Sequence, residues 1–357
     1  MFINNILKGR IKQIHLVGIG GIGMSGIAKV LLAEGFLVTG SDIALNNEIN
    51  KLISLGAKIT IGHHEDNIKD ADVLVYSSAI SFDNPEIKAA KQLKIPFIQR
   101  AVMLAEIMSL RCGIAISGAH GKTTTTSLIG YLMHYAKLDP TIIIGGIVNT
   151  FDTNAVIGKS QFIVAEADES DGSFLHLSPT IAVVTNIDKE HLDYYQNGLE
   201  EVLEKFTLFL NSIPFYGLVV ACNDDHNVNK IIPNLNRRVI TYGTNNDSDY
   251  CAKNIVYDGL STTFDLYINN EFQRNFSLNM SGKHNVLNTL ASIAVLEEVG
   301  INNQNLFEPL KKFEGVKRRF SIISKEHNIT IIDDYAHHPT EIKAVLQTAN
   351  KIGRAHV

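Results

Sequence analysis

Three things are scarce in this 357-residue chain: cysteine, long apolar runs and an excess of charge of one sign. Cys112, Cys222 and Cys251 are far apart and odd in number. They form neither a metal-ligand spacing nor a disulfide framework, so a reducing compartment is the simplest reading. No run of about 18 apolar residues occurs, and residues 1–13 carry basic side chains without an apolar h-region. The expectation is a soluble, cytoplasmic protein with no membrane partner. A formal net charge of −5 gives no reason to expect nucleic acid. What is present, 45% apolar and 19% charged residues, fits ordinary globular protein. The length exceeds one core and predicts two or three domains.

Short apolar runs alternate with helical patterns, the signature of α/β units around a parallel sheet. Strands are expected at 14–17, 37–40, 71–76 and 96–98, with helices at 24–34 and 84–93. The first domain is placed at 1–106. A second series, 107–316, opens with a strand at 112–117 and a helix at 124–135. Strands follow at 162–165, 181–184, 218–220 and 238–240. The alternating stretch 253–278, with Asn269-Asn270 as a turn, predicts an antiparallel hairpin, and 285–299 predicts an amphipathic helix. A third unit, 317–357, offers a strand at 329–332 and a helix at 340–350, too little to bury a core alone. Its last residues, 352–357, match one reading frame of a common sequencing adapter, so the natural sequence is expected to end near Lys351.

Residues 117–126 read SGAHGKTTTT between a buried strand and a helix. A Gly-rich turn there exposes backbone N–H groups at a helix N-terminus, where the dipole favours anions. Lys122 would face the terminal phosphates and the Thr123 hydroxyl would ligate Mg²⁺. The longer eight-residue pattern needs glycine where Ile116 stands, so this is a short GxxGKT loop. Its strand-before, helix-after context argues against a surface turn. Glu166, Asp168, Glu169 and Asp171 follow one expected strand, and Asn186, Asp188 and His191 the next, where open α/β sheets place ligand chemistry.

A second glycine loop, Gly18-Ile19-Gly20-Gly21-Ile22-Gly23, satisfies G-x-G-x-x-G, and Asp42 stands 19 residues after Gly23. That is the context of the dinucleotide fingerprint. Alone it would make an NAD-dependent oxidoreductase the leading reading. The glycines, however, show only that backbone approaches an anion, and a nucleotide-sugar diphosphate qualifies. The ATP-type loop moves the weight away from hydride transfer.

Together these residues resemble the Mur ligases. The matching stretches are HLVGIGGIGMSGIA (15–28), GSD (40–42), SSAI (77–80), NPE (84–86), SGAHGKTTTT (117–126), AEADESDGSF (165–174), TNIDKEHLDYY (185–195), SGKHNVLN (281–288), GVKRRF (315–320) and DDYAHHPTE (333–341). The form of the first loop favours the alanine-adding members over the muropeptide-recycling ones. The resemblance implies a three-domain α/β architecture. It comprises a Rossmann-like UDP-sugar domain, a central P-loop ATPase-like domain with a small antiparallel part, and the start of a Rossmann-like C-terminal domain. It implies ATP and Mg²⁺, UDP-N-acetylmuramate and L-alanine as partners, and a monomer or homodimer. The lactyl carboxylate would be phosphorylated by ATP and the acyl phosphate then aminolysed.

Residue roles follow by the same resemblance. Gly118, Ala119, His120, Gly121, Lys122, Thr123 and Thr124 would cradle the phosphates. Glu166 would ligate Mg²⁺, and His191 would serve a second metal. His284 and Asn285 would sit at the adenine, or else be local caps of a helix N-terminus. Arg319 would reach the γ-phosphate, although Arg318 is equally placed by sequence. Asp334 would meet the ribose or phosphates, and Tyr335 and His337 would face the amino acid. Gly18, Gly20, Gly21, Gly23, Met24 and Ser25 would hold the UDP diphosphate, with Asp42, Ser77 and Ser78 nearby and His63 and His64 on the same rim. Family members continue beyond this end, with the basic residues expected to grip the alanine carboxylate. A non-catalytic nucleotide-binding fragment is therefore a third reading, beside the ligase and the oxidoreductase.

Overall fold

The computed structural model describes residues 10–148, 153–189, 194–316, 318–327 and 329–352. The first unit contains the strands Gln13–Val17 (β1), Leu37–Asp42 (β2), Lys58–Ile61 (β3), Val73–Tyr76 (β4) and Phe97–Gln99 (β5). They pair in parallel in the order β3-β2-β1-β4-β5. Its helices are Ile22–Ala33 (α1), Asn47–Ser54 (α2), Pro85–Leu93 (α3) and Arg100–Ser109 (α4). The start of α3 is written locally: Asn84 accepts from the Glu86 N–H and Pro85 needs no acceptor for a missing donor. Strand order reverses on either side of β1, which opens a crevice beyond the C-terminal ends of β1 and β4. The helix α4 was not expected, and it runs through Glu106 to Ser109. Sequence patterning also missed β3, because its side chains are mostly exposed and leave no buried alternation to read.

The middle unit is built on Cys112–Ser117 (β6), Thr141–Val148 (β7), Thr153–Val156 (β8), Phe162–Glu166 (β9), Ile181–Val184 (β10), Leu218–Cys222 (β11), Arg238–Gly243 (β12), Tyr250–Asp258 (β13), Ser261–Ile268 (β14) and Glu271–Leu278 (β15). They form one ten-stranded sheet ordered β15-β14-β13-β12-β11-β10-β6-β9-β7-β8. The pairs from β7 through β13 are parallel, while β13-β14-β15 and β7-β8 are antiparallel. Helices Lys122–Tyr135 (α5), Leu199–Ser212 (α6), His226–Ile231 (α7), Lys283–Glu298 (α8) and Phe307–Lys312 (α9) cover it, α5 and α8 lying against each other. The expected hairpin is a three-stranded meander. Its second turn does fall at Asn269 and Asn270, both left-handed (φ 51° and 66°), the conformation a two-residue hairpin turn requires.

The third unit pairs Ser321–Glu326 (β16) with Ile329–Asp333 (β17) antiparallel, followed by the helix Pro339–Ile352 (α10). The strand β16 escaped sequence reading for the same reason as β3, since four of its six side chains are exposed.

Two buried polar clasps join the first and middle units. Lys29 of α1 donates to Glu48 Oε2 and Asn154 Oδ1, each at 2.6 Å, and Asn154 Nδ2 donates back to the Ile22 carbonyl and Ser25 Oγ. Arg111 bridges Glu34 (2.5 Å) and Thr141 Oγ1 (2.6 Å). Among the described residues no helix is long and apolar enough to cross a membrane.

Candidate active site

The phosphate loop lies between β6 and α5, as the sequence predicts. Gly121 is left-handed (φ 86°), and a Cβ there would stand 2.7 Å from Asn288 Oδ1 on α8, so both the turn and the packing require glycine. No side chain caps α5. The N–H groups at its first turn, Lys122, Thr123 and Thr124, therefore lack intrahelical acceptors and are open to an anion. Two loop amides expected to be free are engaged: Ala119 N–H donates to the Asn186 carbonyl (3.2 Å) and His120 N–H to Asn186 Oδ1 (2.8 Å). Asn186, at the end of β10, thus holds the loop open.

Lys122 folds back onto Glu169 (2.8 and 2.9 Å) and the Gly118 carbonyl (2.6 Å). Burial works against its ammonium, but Glu169, Asp168 and Glu166 outweigh that effect and raise its pKa. Glu166 is pushed upward by burial and by Asp168, although the Gly145 N–H (2.8 Å) and the Thr123 hydroxyl favour its anion. A carboxylate short of compensating charge beside a hydroxyl at the phosphate loop fits an oxygen-liganded divalent cation. The expected second-metal residue His191 lies outside the described residues. His120, Asp188 and His338 also bring three ligand atoms within 4.8 Å of one another. Their two imidazoles suit a nitrogen-preferring transition metal better than Mg²⁺.

A cavity of about 850 Å³ opens between the middle and third units. His120, Gly121, Thr123, Thr124, His284, Asn285, Arg319 and Asp334 all line it, so residues from four of the motifs converge there. Neither His284 nor Asn285 caps α8, whose N-cap is Gly282 without a side-chain bond; Asn285 Nδ2 instead donates to the Ser281 carbonyl at 2.8 Å. Both oxygens of Asp334 accept backbone N–H groups, from Phe320 and Ala336, each at 2.7 Å. This pins the turn bearing Arg319, whose neighbours Arg318 and Phe320 are both left-handed (φ 59° and 52°). Arg318 lines the cavity too, but its side chain is 61% exposed against 32% for Arg319. Tyr335 and His337 are exposed and do not line the cavity.

Glu341, unassigned by sequence because an acid in a first helical turn reads as a capping group, closes the seam. It meets His120 Nδ1 (3.3 Å), Arg319 (3.5 Å) and the His337 N–H (3.2 Å). Burial alone would raise its pKa; these partners outweigh it and bring the group down to about 2.

In the first unit residues 18–21 join β1 to α1, and Ile22 and Gly23 already lie in its first turn. Asp42 clamps this loop, accepting from the Gly20 and Ile43 N–H groups, each at 2.8 Å. The dinucleotide reading reserved this carboxylate for a ribose hydroxyl, but both of its oxygens already serve the backbone. Met24 and Ser25 are buried, and the Ser25 hydroxyl faces Asn154 of the middle unit. Ser77 and Ser78 end β4 across the crevice, Ser77 half-buried and Ser78 exposed. His63 and His64 part company: His63 bonds Ser41 Oγ (2.9 Å) beside the buried Glu86, whereas His64 is 66% exposed.

This geometry agrees with comparison to known proteins. Residues 13–111 match the Mur ligase family catalytic domain, 116–296 the Mur ligase middle domain, and 318–357 the Mur ligase glutamate ligase domain. The UDP-N-acetylmuramate–L-alanine ligase of Pelobacter propionicus is 51% identical over 96% of this chain and 75% of its own length. That of Geobacter sulfurreducens is 50% identical over 97% and 75%. The solved UDP-N-acetylmuramate-alanine ligase MurC of Thermotoga maritima superposes with a TM-score of 0.84 at 32% identity, covering 96% of this chain and 78% of its own. A Neisseria UDP-N-acetylmuramate:L-alanyl-γ-D-glutamyl-meso-diaminopimelate ligase follows at 0.79 and 28%, covering 86% and 100%. With three consecutive family domains, an uncapped phosphate-loop helix and a nucleotide-sized cavity at the seam, the chain belongs to the Mur ligase family.

Proposed function

We propose that this chain joins L-alanine to the lactyl carboxylate of UDP-N-acetylmuramate at the expense of ATP, in peptidoglycan precursor synthesis. The observation that carries it is the convergence of the phosphate loop, the α8 start and the Arg319 turn on one cavity, in a chain about half identical to ligases of that name. We assign 1–106 to the sugar nucleotide, 107–316 to ATP and 317–357 to the amino acid, with α4 crossing the first of these bounds.

The chemistry is carboxylate activation. A carboxylate oxygen attacks the γ-phosphorus, the bond to the bridging oxygen breaks, and ADP leaves. The alanine amine, having lost its ammonium proton, attacks the acyl carbon, and the tetrahedral adduct collapses to amide and phosphate. The chain's part is to position anions and offset their charge. The free N–H groups at residues 122–124 receive phosphate oxygens, and Lys122 exchanges Glu169 for the β/γ-phosphates. Arg319 turns from Glu341 toward the transferring phosphoryl group. His284 and Asn285 close the cavity around the base. Mg²⁺, for which Thr123 and Glu166 are the fitting ligands, supplies charge neutralisation of the phosphates when bound.

The test is phosphate release coupled to both substrates. Release that ignores UDP-N-acetylmuramate or L-alanine would refute the assignment. Lys122→Ala should abolish turnover and weaken ATP binding, and retained turnover would remove the role given to that lysine.

A further inference from the structure

We infer that Arg100 grips an anionic oxygen of the bound sugar nucleotide, on the path between the first glycine loop and the phosphate-loop acids. The inference rests on the function proposed above and adds to it a residue that no sequence motif singled out.

Arg100 opens α4 directly after β5. Its side chain is 22% exposed, and its only ion-pair partner among the described residues is Asp168 Oδ2 at 3.9 Å, beyond hydrogen-bond reach. A half-buried guanidinium carries five donors in a planar fork, so it has most of its capacity unspent.

Its other neighbour is Gly23. A Cβ at that position would come within 3.1 Å of Arg100 Nη1 and 3.3 Å of Cδ. In a dinucleotide-binding loop the third glycine serves close helix–strand packing; here it makes room for a guanidinium. That group therefore stands at the first turn of α1, which has no acidic residue and no side-chain cap. A cation at the positive end of a helix is unfavourable by itself. An oxyanion placed between them satisfies both.

The proposed reaction supplies that anion. Its substrate must hold a diphosphate at the first loop and present a carboxylate to the second. Arg100 touches both ends of that span, through Gly23 and Asp168. The anion is either the diphosphate or the carboxylate of the same ligand, and their shared chemistry, a planar or tetrahedral oxyanion, suits a bidentate fork.

The test is calorimetric titration of the chain with UDP-N-acetylmuramate, UDP and a non-hydrolysable ATP analogue. Arg100→Ala should weaken UDP-N-acetylmuramate by about tenfold or more and leave the ATP analogue unchanged. Arg100→Lys should restore only part, because an ammonium lacks the fork. Gly23→Ala should weaken the same ligand by displacing the guanidinium, with a melting temperature no lower than wild type, since alanine favours a helix. An equal loss for UDP places the diphosphate in the fork; UDP unaffected places the carboxylate there, and either supports the inference. Folded Arg100→Ala protein that binds UDP-N-acetylmuramate like wild type overturns it. If Arg100→Ala fails to fold, wild-type affinity in both Arg100→Lys and Gly23→Ala overturns it instead. Wild-type protein that does not bind UDP-N-acetylmuramate overturns the proposed function, and this inference with it.

Discussion

At the scale of single residues, two cations rest against glutamates: Lys122 on Glu169 and Arg319 on Glu341. Lys122 was legible because a Gly-Lys-Thr run after a buried strand has few other uses. Its pairing with Glu169 was not, because the two are 47 residues apart and meet only through the order of β6 and β9. The adjacent arginines illustrate the same limit: 318 and 319 are interchangeable on paper. In the fold Arg319 is the less exposed and pairs with Glu341, while Arg318 is out near Asp333 and the Tyr335 ring. A donor pre-aimed at developing charge is worth about a hundredfold or more in kcat. We therefore expect Arg319→Ala to lower kcat by that order and Arg318→Ala by only a few-fold. Steady-state kinetics on the two variants decides the ranking; equal losses would undo it.

At the scale of elements, legibility followed burial. The wholly buried strands Ile181–Val184 and Leu218–Cys222 announced themselves as apolar runs, whereas β3 and β16 did not, since an exposed strand has no hydrophobic period. The helix α10 was expected, but not what its first turn does. There Glu341 ties the third unit to His120 of the phosphate loop. Its pKa is lowered from an ordinary 4.5 to about 2, so the folded state takes up the proton later than the unfolded chain. The contact therefore contributes fully above about pH 4.5 and is lost as pH falls toward about 2. The difference in urea stability between wild type and Glu341→Gln should accordingly shrink between about pH 6 and about pH 3. A difference that stays constant with pH would show that the carboxylate's charge is not what holds the seam.

At the scale of the whole molecule, the first and middle units are welded by buried polar groups and the third is held by a lighter ionic seam. Asn154 is the test of the weld, because its amide satisfies the Lys29 ammonium and the Ile22 carbonyl at once. Asn154→Ala leaves a buried charge with one partner fewer. It should cost about 1–3 kcal/mol in denaturant unfolding. A loss below about 0.5 kcal/mol, the scale of ordinary surface substitutions, would mean water replaces the amide freely. By itself the sequence determined the α/β class, the two glycine loops, the order of the motifs and the family they resemble, because those are properties of contiguous residues. The fold alone decided which loop ends meet: His120 with Glu341, Arg100 with Gly23, and the motifs around residues 120, 284 and 319 on one cavity. A strand's neighbour is set by packing of the whole sheet, and no local pattern encodes it. For that reason Gly118 to Thr124 could be read as a phosphate loop from the sequence, while the arginine beside Gly23 could be recognised only in three dimensions.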